Sequence, residues 1–442
     1  MSDKPRKFKG GVHPNDSKAL SAHKAIEAAP LLESYKVIMH QNIGAPPELV
    51  VKKGDAVKKG SLLAKAGGFV SVPLHAPTSG VVKAIDKVPG PTGISVPCIE
   101  ITADGEDEWE SPFAPIGDWK TTDPAELKQR VWDAGVVGMG GAGFPAHVKL
   151  SPPEGKTIDT LILNGAECEP YLTADHRLML ERAEDVALGC AIIARILGLK
   201  TGVIGVENNK PDAIAALKEA AVKHGVTVQA LPVNYPQGAE KQLIYAITGR
   251  EVPVGKLPMD VGCVVQNVAS AVAIADAVVK GVPSIERVTT ITGKPLVDPG
   301  NWLLRIGTPI SKALELAGGI TEQPAKLLLG GPMMGIAQSS LDVTVMKNTS
   351  GVLLIAQDEV SQYTSEPCIR CGRCVECCPM SILPATISQA VENQRFDWAE
   401  KLNVMACIEC GSCSYSCPSH RPLNQHFKRA KVEIQAGLRK KG

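Results

Sequence analysis

The 442-residue sequence is poor in aromatic residues and has almost no net charge. Phe, Tyr and Trp together make up 4% of the chain, and 47 Lys and Arg residues are balanced by 46 Asp and Glu residues. A balance so close to zero excludes the strongly basic surface that binds nucleic acid. We therefore expect no nucleic-acid partner.

Long, uninterrupted hydrophobic runs are also absent. The most apolar long segment, residues 186–206, contains Arg195, Lys200 and several glycines, whereas a membrane-spanning helix needs about 20 apolar residues. The basic N-terminal segment is not followed by the apolar stretch of a secretory signal peptide. We expect a cytoplasmic protein with no transmembrane segment, so that any contact with a membrane is peripheral.

Cysteine, by contrast, is abundant: there are 13, and nine of them lie between positions 368 and 417. In a cytoplasmic protein such clustering indicates metal binding rather than disulfide bonds. The other four are scattered among apolar or loop residues, where cysteine usually serves as a small buried side chain. These four are Cys98, Cys168, Cys190 and Cys263.

Residues 368–379 and 407–418 contain the same pattern, C-x2-C-x2-C-x3-C-P. It is typical of dicluster ferredoxins, in which three cysteines of one run bind one [4Fe–4S] cluster and the fourth binds the other. Two zinc sites are the alternative, but those usually use paired C-x2-C elements. We expect Cys377 not to be a ligand. The predicted ligands are Cys368, Cys371, Cys374 and Cys417 for the first cluster, and Cys407, Cys410, Cys413 and Cys378 for the second.

Short β-type runs alternate with turns in residues 35–103, which favours a small barrel or sandwich. Residues 51–65 and 75–82 resemble the two halves of a lipoyl or biotinyl domain. In those domains the hairpin between the halves carries a modified lysine. Here that hairpin, residues 66–74, has no lysine, so we predict a structural module without an attached arm.

Strand and helix patterns alternate in residues 157–250, which indicates βαβ units and a parallel sheet. A further long helix is predicted for residues 260–281. The predicted strands are 157–165, 200–208 and 226–233, and the predicted helices are 176–197, 210–225 and 237–248.

Two short strands, a turn and a helix in residues 286–345 form a unit that resembles the SLBB (soluble-ligand-binding β-grasp) module, and the rest of the chain is mostly helical. The sequence thus predicts a multidomain α/β and α+β protein. Its predicted parts are an N-terminal extension (1–34), a lipoyl-like barrel-sandwich module (35–115), a Rossmann-like α/β domain (116–283), an SLBB β-grasp module (284–350) and a helical dicluster ferredoxin-like domain (351–442).

The segment GVVGMGGAGFPAH, residues 135–147, contains the G-x-G-x-x-G spacing of dinucleotide-binding loops. That motif should follow a strand and open a helix. Here a helix is predicted in residues 121–135, Pro145 interrupts the start of any following helix, and the first strand comes later. A Rossmann site is therefore disfavoured, although closely spaced glycines still allow N–H groups to enclose a phosphate. A glycine-rich connection without a ligand is the alternative.

Four segments resemble, in order, the flavin-binding segments of the NADH-oxidising subunit of respiratory complex I. With the GGVHP start at residues 10–14, the lipoyl-like module, the SLBB module and the terminal dicluster, the whole chain resembles the C subunits of Rnf ion-translocating electron transport complexes. The four segments are GMGGAGFP (138–145), LNGAECEP (163–170), YPQGAEKQL (235–243) and VVQNVAS (264–270).

This resemblance implies an oxidoreductase and translocase subunit that passes electrons between NAD(H), non-covalent FMN and two [4Fe–4S] clusters. It also implies ferredoxin-like and integral membrane partner subunits, at the cytoplasmic face of the bacterial inner membrane. No catalytic acid or base is expected, because hydride passes directly between nicotinamide and flavin. The implied site residues are Gly138, Gly140, Gly141 and Gly143 at the FMN phosphate, Asn164, Glu167, Tyr235, Gly238 and Asn267 along the flavin, and Phe144, Lys149, Glu169 and Glu240 at NADH.

Four positions depart from the complex I pattern. Met139 stands where that pattern has a basic residue, Ala166 and Ala239 stand at acidic positions, and Gln266 replaces one of two paired asparagines. These departures concern nicotinamide binding more than flavin binding, because the glycines are retained. Two alternative functions stay open: a soluble flavin and iron–sulfur corrinoid reductase, and a non-catalytic electron-relay scaffold with a degenerate flavin site.

Overall fold

The computed structural model describes residues 5–360, 363 and 366–439. In these ranges the strands form sheets of six, four, four and three strands. No helix of the described chain combines the length and the apolar character needed to cross a membrane.

The N-terminal module is a sandwich of two antiparallel sheets, as the sequence predicted. One sheet has the order β2-β8-β7-β4 and the other has the order β3-β5-β6. Side chains such as Val37, Leu63 and Ile99 fill the space between them. The strands of this module are β2 (Ser34–Ile38), β3 (Glu48–Leu49), β4 (Ala56–Val57), β5 (Leu62–Lys65), β6 (Leu74–His75), β7 (Gly80–Pro89) and β8 (Ser95–Ala103), and a separate strand, β1 (Ile26–Ala28), precedes them.

The lysine-free hairpin at residues 66–74 packs against the α/β domain. The Phe69 ring lies edge-on to Trp132 and to His147, at centroid distances of 5.9 and 5.5 Å. His147 stacks on Trp132 at 4.4 Å and its Nε2 lies 2.7 Å from the Phe69 carbonyl oxygen. This hairpin therefore supports the helix that follows the glycine-rich segment.

The α/β domain contains a four-stranded parallel sheet in the order β11-β10-β9-β12. Because the strands are parallel, their carboxyl ends lie at one edge, where ligands of open α/β sheets bind. Its elements are α1 (Pro124–Asp133), α2 (Ala146–Lys149), β9 (Thr160–Gly165), α3 (Ala174–Glu181), α4 (Ala183–Ile196), β10 (Val203–Glu207), α5 (Pro211–His224), β11 (Thr227–Leu231), α6 (Glu240–Thr248), β12 (Cys263–Asn267) and α7 (Val268–Ala275).

Two helix predictions in this domain were wrong. The helix predicted for 260–281 is a strand, β12, followed by α7 and a π-helical turn at Asp276–Lys280. An apolar run buried on all sides has no periodicity that separates strand from helix. The helix predicted for 176–197 is divided into α3 and α4 at Arg182, which leaves the helical conformation and pairs with Asp276 at 2.7 Å.

The SLBB region is built on a six-stranded sheet in the order β1-β14-β13-β17-β15-β16. Strand β1 of the N-terminal segment pairs with β14 in parallel, with Ile26 opposite Asn301. Residues 26–28 are thereby joined to a module in the second half of the chain. The further elements are β13 (Glu286–Thr292), β14 (Gly300–Arg305), α8 (Ile310–Leu316), β15 (Lys326–Leu329), β16 (Ile336–Gln338) and β17 (Gly351–Ile355).

The C-terminal region is helical, as predicted, and its core holds buried Ile387, Val391 and Phe427. A short helix lies within each cysteine run and is preceded by a glycine with φ near +78°, Gly372 or Gly411. The helices are α9 (Arg373–Glu376), α10 (Pro384–Glu392), α11 (Phe396–Lys401), α12 (Ser412–Tyr415) and α13 (Leu423–Arg439).

Candidate flavin and iron–sulfur site

The glycine-rich segment forms a closed loop between α1 and α2. Gly138 donates a 2.8 Å hydrogen bond to the Phe144 carbonyl, and Val137 forms a β-bridge with Pro145. Residues 140–142 are exposed, and the N–H groups of residues 140–143 donate to no other described residue. Consecutive free N–H groups in a tight turn are a binding site for an anion such as a phosphate.

Side chains of other segments hold this loop from behind. The Met139 N–H donates to Ser270 Oγ at 2.9 Å, and the Ser270 hydroxyl donates to the Val137 carbonyl at 2.9 Å. Arg287 Nη2 donates to the Met139 carbonyl at 3.3 Å, and Asn348 Nδ2 donates to the Gly141 carbonyl at 3.1 Å. The loop conformation is thus fixed by hydrogen bonds from α7 and from the SLBB region.

The loop lies against the carboxyl ends of β9 and β12. A Cβ atom on Gly140 would lie 2.6 Å from Asn267 Nδ2, so this position requires glycine. Asn267 caps α7 through the Ala269 N–H, and its Nδ2 donates to Asp175 at 2.6 Å. At the end of β9, Asn164 donates to the Gly238 carbonyl at 2.8 Å. The structure therefore brings these sequence-predicted residues together at one edge of the sheet.

Glu167 lies in a buried group of charges beside this edge. Its backbone is left-handed (φ 47°), and its carboxylate accepts the N–H groups of Asp175 and His176 at 2.6 and 3.2 Å. Burial raises the pKa of Glu167 to about 7, while Lys18 Nζ at 3.8 Å opposes that rise. The N-terminal segment thus contributes a cation to the site.

Lys149 and Glu240, both implied NADH contacts, form an ion pair of 2.8 Å. Lys149 also donates to the Val265 carbonyl at 3.2 Å, which places the pair beside β12. Phe144, at the end of the glycine loop, is half-buried.

Glu169 and Tyr235 lie where the α/β domain meets the SLBB and cluster regions. The Glu169 carboxylate accepts the N–H groups of Met333 and Met334 at 3.0 and 2.8 Å, and burial raises its pKa to about 7. The Tyr235 hydroxyl donates to the Cys410 carbonyl at 2.7 Å. Tyr235 thus connects the implied flavin site to the cysteine region, and Glu169 connects it to the SLBB region.

The cysteines surround two separate cavities. Cys368, Cys371, Cys374 and Cys417 line a cavity of about 290 Å³, and a smaller one is lined by the second predicted set. Cys377 lines neither; its thiol contacts the Cys374 carbonyl at 3.6 Å. In the described residues no three Cys, His, Asp or Glu side chains converge as ligands of a single metal ion. Four soft thiolates around a cavity are the donor set of a [4Fe–4S] cluster. The second set consists of Cys378, Cys407, Cys410 and Cys413.

Burial raises the pKa of several of these thiols, that of Cys407 to about 11. Cluster binding would therefore have to displace their protons, which couples metal affinity to pH.

The sequence reasoning did not identify what the GGVHP segment contacts. The Gly11 N–H donates to the Cys377 carbonyl at 2.9 Å, and Val12 forms a β-bridge with Tyr235. A Cβ atom on Gly10 would lie 2.8 Å from the Cys377 and Cys378 backbone. The adjacent glycines were the only local signal of this close approach.

The four scattered cysteines are only in part as predicted. Cys98, Cys190 and Cys263 are buried, whereas Cys168 is half-buried. The Cys168 sulfur accepts a hydrogen bond of 3.3 Å from the Gly238 N–H.

Comparison with known families matches four models along the chain, in the predicted order. They are the RnfC barrel sandwich hybrid domain (residues 6–106), the Nuo51 FMN-binding domain (131–276), the SLBB domain (288–337) and the 4Fe-4S dicluster domain (361–422).

Among solved structures, an NAD+-reducing [NiFe]-hydrogenase in the H2-reduced state aligns with a TM-score of 0.51. The alignment covers 75% of this chain and 69% of that chain at 18% identity, so it shows a shared fold alone.

Two curated relatives match almost the entire chain. The C subunit of the proton-translocating ferredoxin:NAD+ oxidoreductase complex of Clostridium ljungdahlii is 48% identical, over 98% of this chain and 94% of its own. The C subunit of the Na+-translocating ferredoxin:NAD+ oxidoreductase complex of Acetobacterium woodii is 44% identical, over the full length of both chains. At this identity and coverage, the chain belongs to the RnfC family, the C subunits of ion-translocating ferredoxin:NAD+ oxidoreductase complexes.

Proposed function

We propose that this protein is the NAD(H)-linked subunit of a membrane-bound ferredoxin:NAD+ oxidoreductase complex that translocates ions. In this proposal it binds FMN at the glycine loop and two [4Fe–4S] clusters at the cysteine sets. It belongs to a family whose members are parts of such complexes, and we propose ferredoxin-like and integral membrane subunits as its partners. We place it at the cytoplasmic face of the cell membrane.

One observation carries the proposal: the glycine loop and the second cysteine set lie in domains that are in direct contact. Tyr235 follows β11 of the sheet that holds the loop, and its hydroxyl reaches the Cys410 carbonyl. Met333 lies against the same cysteine run, because a Cβ atom on Gly411 would be 2.9 Å from its carbonyl. Electron transfer requires that the two cofactors lie close together, and direct contact between the domains that would hold them supports this.

The residues present fit both cofactors. The free N–H groups of residues 140–143 suit a phosphate, with Asn164, Gly238 and Asn267 nearby at the sheet edge. FMN supplies the conversion between the two-electron chemistry of nicotinamide and the one-electron chemistry of iron–sulfur clusters. The protein fixes positions and excludes water, and no side chain needs to transfer a proton.

The proposal is tested by anaerobic purification of the full chain, followed by iron and flavin analysis. We expect about eight irons and one releasable FMN per chain, with bleaching of flavin and cluster absorbance after NADH is added. A chain with clusters but no flavin would contradict the loop assignment.

A non-catalytic relay remains the second candidate because of particular contacts. The implied NADH contacts Lys149 and Glu240 neutralise each other, and the amide of buried Gln266 has no partner in the described residues. A protein that retains FMN but whose flavin is not reduced by NADH would support this candidate instead.

A further inference from the structure

Arg287, at the start of β13, is a buried cation with few partners. Its side chain is 1% exposed, and its Nε has no hydrogen-bond partner in the described residues. Its Nη2 donates a 3.3 Å hydrogen bond to the Met139 carbonyl and lies 3.8 Å from Asp175 Oδ1. The other oxygen of Asp175 already accepts a hydrogen bond from Asn267.

A buried guanidinium in such surroundings would be stabilised by an additional negative charge. Removing a cation from water is unfavourable unless close, well-bonded anions compensate it. Burial lowers the pKa of Arg287, and the nearest acids, Asp175 and Glu167, oppose that shift. Both acids are also bonded to other groups: Asp175 to Asn267, and Glu167 to Lys18 and two backbone N–H groups.

Arg287 and the exposed, free N–H groups of residues 140–143 lie on opposite sides of the glycine loop. In a trans peptide the carbonyl of one residue points opposite to the N–H of the next. Because Arg287 holds the Met139 carbonyl, the Gly140 N–H is directed away from Arg287, towards the open side. Asn348 holds the Gly141 carbonyl in the same way and so directs the Ala142 N–H.

We propose that Arg287 and Asn348 form the back wall of the flavin phosphate site, and that Arg287 supplies its compensating positive charge. The inference rests on the proposed function, because it takes the ligand of the loop to be FMN. Arg287 does not touch the phosphate in this proposal, because the backbone of the glycine loop lies between them. It positions the loop and contributes a positive charge behind it. It provides a cation behind a loop whose own position 139 is the neutral Met139.

This arrangement gives the SLBB region a role in cofactor binding. Both back-wall residues belong to it: Arg287 lies on β13, and Asn348 lies just before β17. The adjacent Lys347, fully buried, donates to the Gly135 carbonyl at 2.6 Å, where the glycine segment begins. The wall recognises phosphate alone, so it distinguishes FMN from riboflavin.

The test compares FMN with riboflavin on the full-length protein, purified anaerobically and freed of flavin. Equilibrium dialysis measures both affinities for the wild type, Arg287→Met, Arg287→Lys and Asn348→Leu. Arg395→Met is the matched control, because Arg395 is an exposed arginine that pairs with the equally exposed Asp397. Iron content reports whether each variant is folded.

We expect Arg287→Met to weaken FMN binding by about tenfold or more, the scale of one lost charge-assisted interaction. Riboflavin binding should stay within about twofold of the wild type. Arg287→Lys should keep most of the preference for FMN, and Asn348→Leu should lose part of it. If Arg287→Met also loses iron, the double variant Asp175→Asn/Arg287→Met, which removes one charge of each sign, is measured instead. We expect it to lose its preference for FMN over riboflavin to the same extent.

Equal losses of FMN and riboflavin affinity, or unchanged FMN affinity, would overturn the inference while leaving the proposed function intact. A wild-type protein that binds no FMN would instead overturn the proposed function, and the inference with it.

Discussion

The Tyr235 hydroxyl donates a 2.7 Å hydrogen bond to the backbone carbonyl of Cys410, and both groups are buried. Tyr235 belongs to the α/β domain and is 2% exposed, whereas Cys410 is the middle cysteine of its C-x2-C-x2-C run. The same tyrosine forms a β-bridge with Val12 of the N-terminal segment. Three distant parts of the chain thus meet at one residue, through its backbone on one side and its hydroxyl on the other.

Tyr235→Phe should loosen this junction without unfolding either domain. A buried carbonyl that loses its donor typically costs about 1 to 3 kcal/mol, so we expect a lower thermal midpoint for the holoprotein. The measurement is anaerobic calorimetry of holoproteins with equal iron content. Tyr415→Phe is the control, because Tyr415 is 54% exposed. Equal midpoints for Tyr235→Phe and the wild type would show that the hydrogen bond contributes nothing.

Gly141→Val should abolish FMN retention and leave the fold unchanged. A Cβ atom at Gly141 would meet no atom within 4 Å, and its φ is not in the left-handed region. A side chain there therefore costs the protein little but occupies the space outside the free N–H groups. Flavin and iron are measured after anaerobic purification, with Gly117→Val, another open position, as the control. FMN retained at the wild-type level would contradict the loop assignment.

Cys417→Ser should remove one cluster and Cys377→Ser should remove neither. Cys417 lines the cavity of the first set although it lies in the second run, whereas Cys377 lines neither cavity. We expect about four irons for Cys417→Ser and about eight for Cys377→Ser. Iron and acid-labile sulfide analysis distinguishes them. Loss of iron in Cys377→Ser would show that the spacing rule selects the wrong cysteine of the adjacent pair.

The grouping of the cysteines around two cavities could be predicted from the sequence because the spacing pattern is local and repeated. The sandwich and the parallel sheet could be predicted as well, because alternation and turns are also local signals. The strand at residues 263–267 could not, since it belongs to a run of apolar residues that continues directly into α7.

The contacts between modules could not be predicted from local sequence patterns. Nothing around Arg287, Lys347 or Asn348 indicates that these residues bind carbonyls of a loop more than 140 positions earlier. The pairing of Ile26 with Asn301 in one sheet is equally distant. Such contacts depend on how the modules pack, which composition and periodicity do not encode.

Deprotonation of Glu169 should lower the free energy of unfolding as pH rises. Burial raises the pKa of Glu169 from its ordinary 4.5 to about 7, so the folded state binds its proton more tightly than the unfolded state. This contribution to stability is fully present below about pH 4.5 and is lost as pH rises through about 7, by about 3 kcal/mol in all. Glu169→Gln removes the titration.

The thermal midpoint of Glu169→Gln, relative to the wild type, should therefore increase between pH 5 and pH 8. Glu376→Gln changes an exposed carboxylate and serves as the control. A difference between Glu169→Gln and the wild type that does not vary with pH would show that Glu169 titrates normally.

When NADH is added, the cluster held by the second cysteine set should be reduced before the cluster held by the first set. The α/β domain contacts the second cysteine run through Tyr235, and Met333 of the SLBB region packs on the same run at Gly411. The first set includes the exposed Cys371 and lies next to Ile369, which is 66% exposed, as expected for an exit to a partner protein.

Two variants separate these roles, with electron paramagnetic resonance of each cluster as the readout. In Cys371→Ser, which should lack the first cluster, NADH should still reduce the second. In Cys407→Ser, which should lack the second, NADH should bleach the flavin while the first cluster stays oxidised on the same timescale. Dithionite, which needs no flavin, should reduce the remaining cluster in both variants. Rapid reduction of the first cluster by NADH in Cys407→Ser would contradict the predicted order. Electrons would then reach the first cluster without passing through the contact between Tyr235 and the second cysteine run.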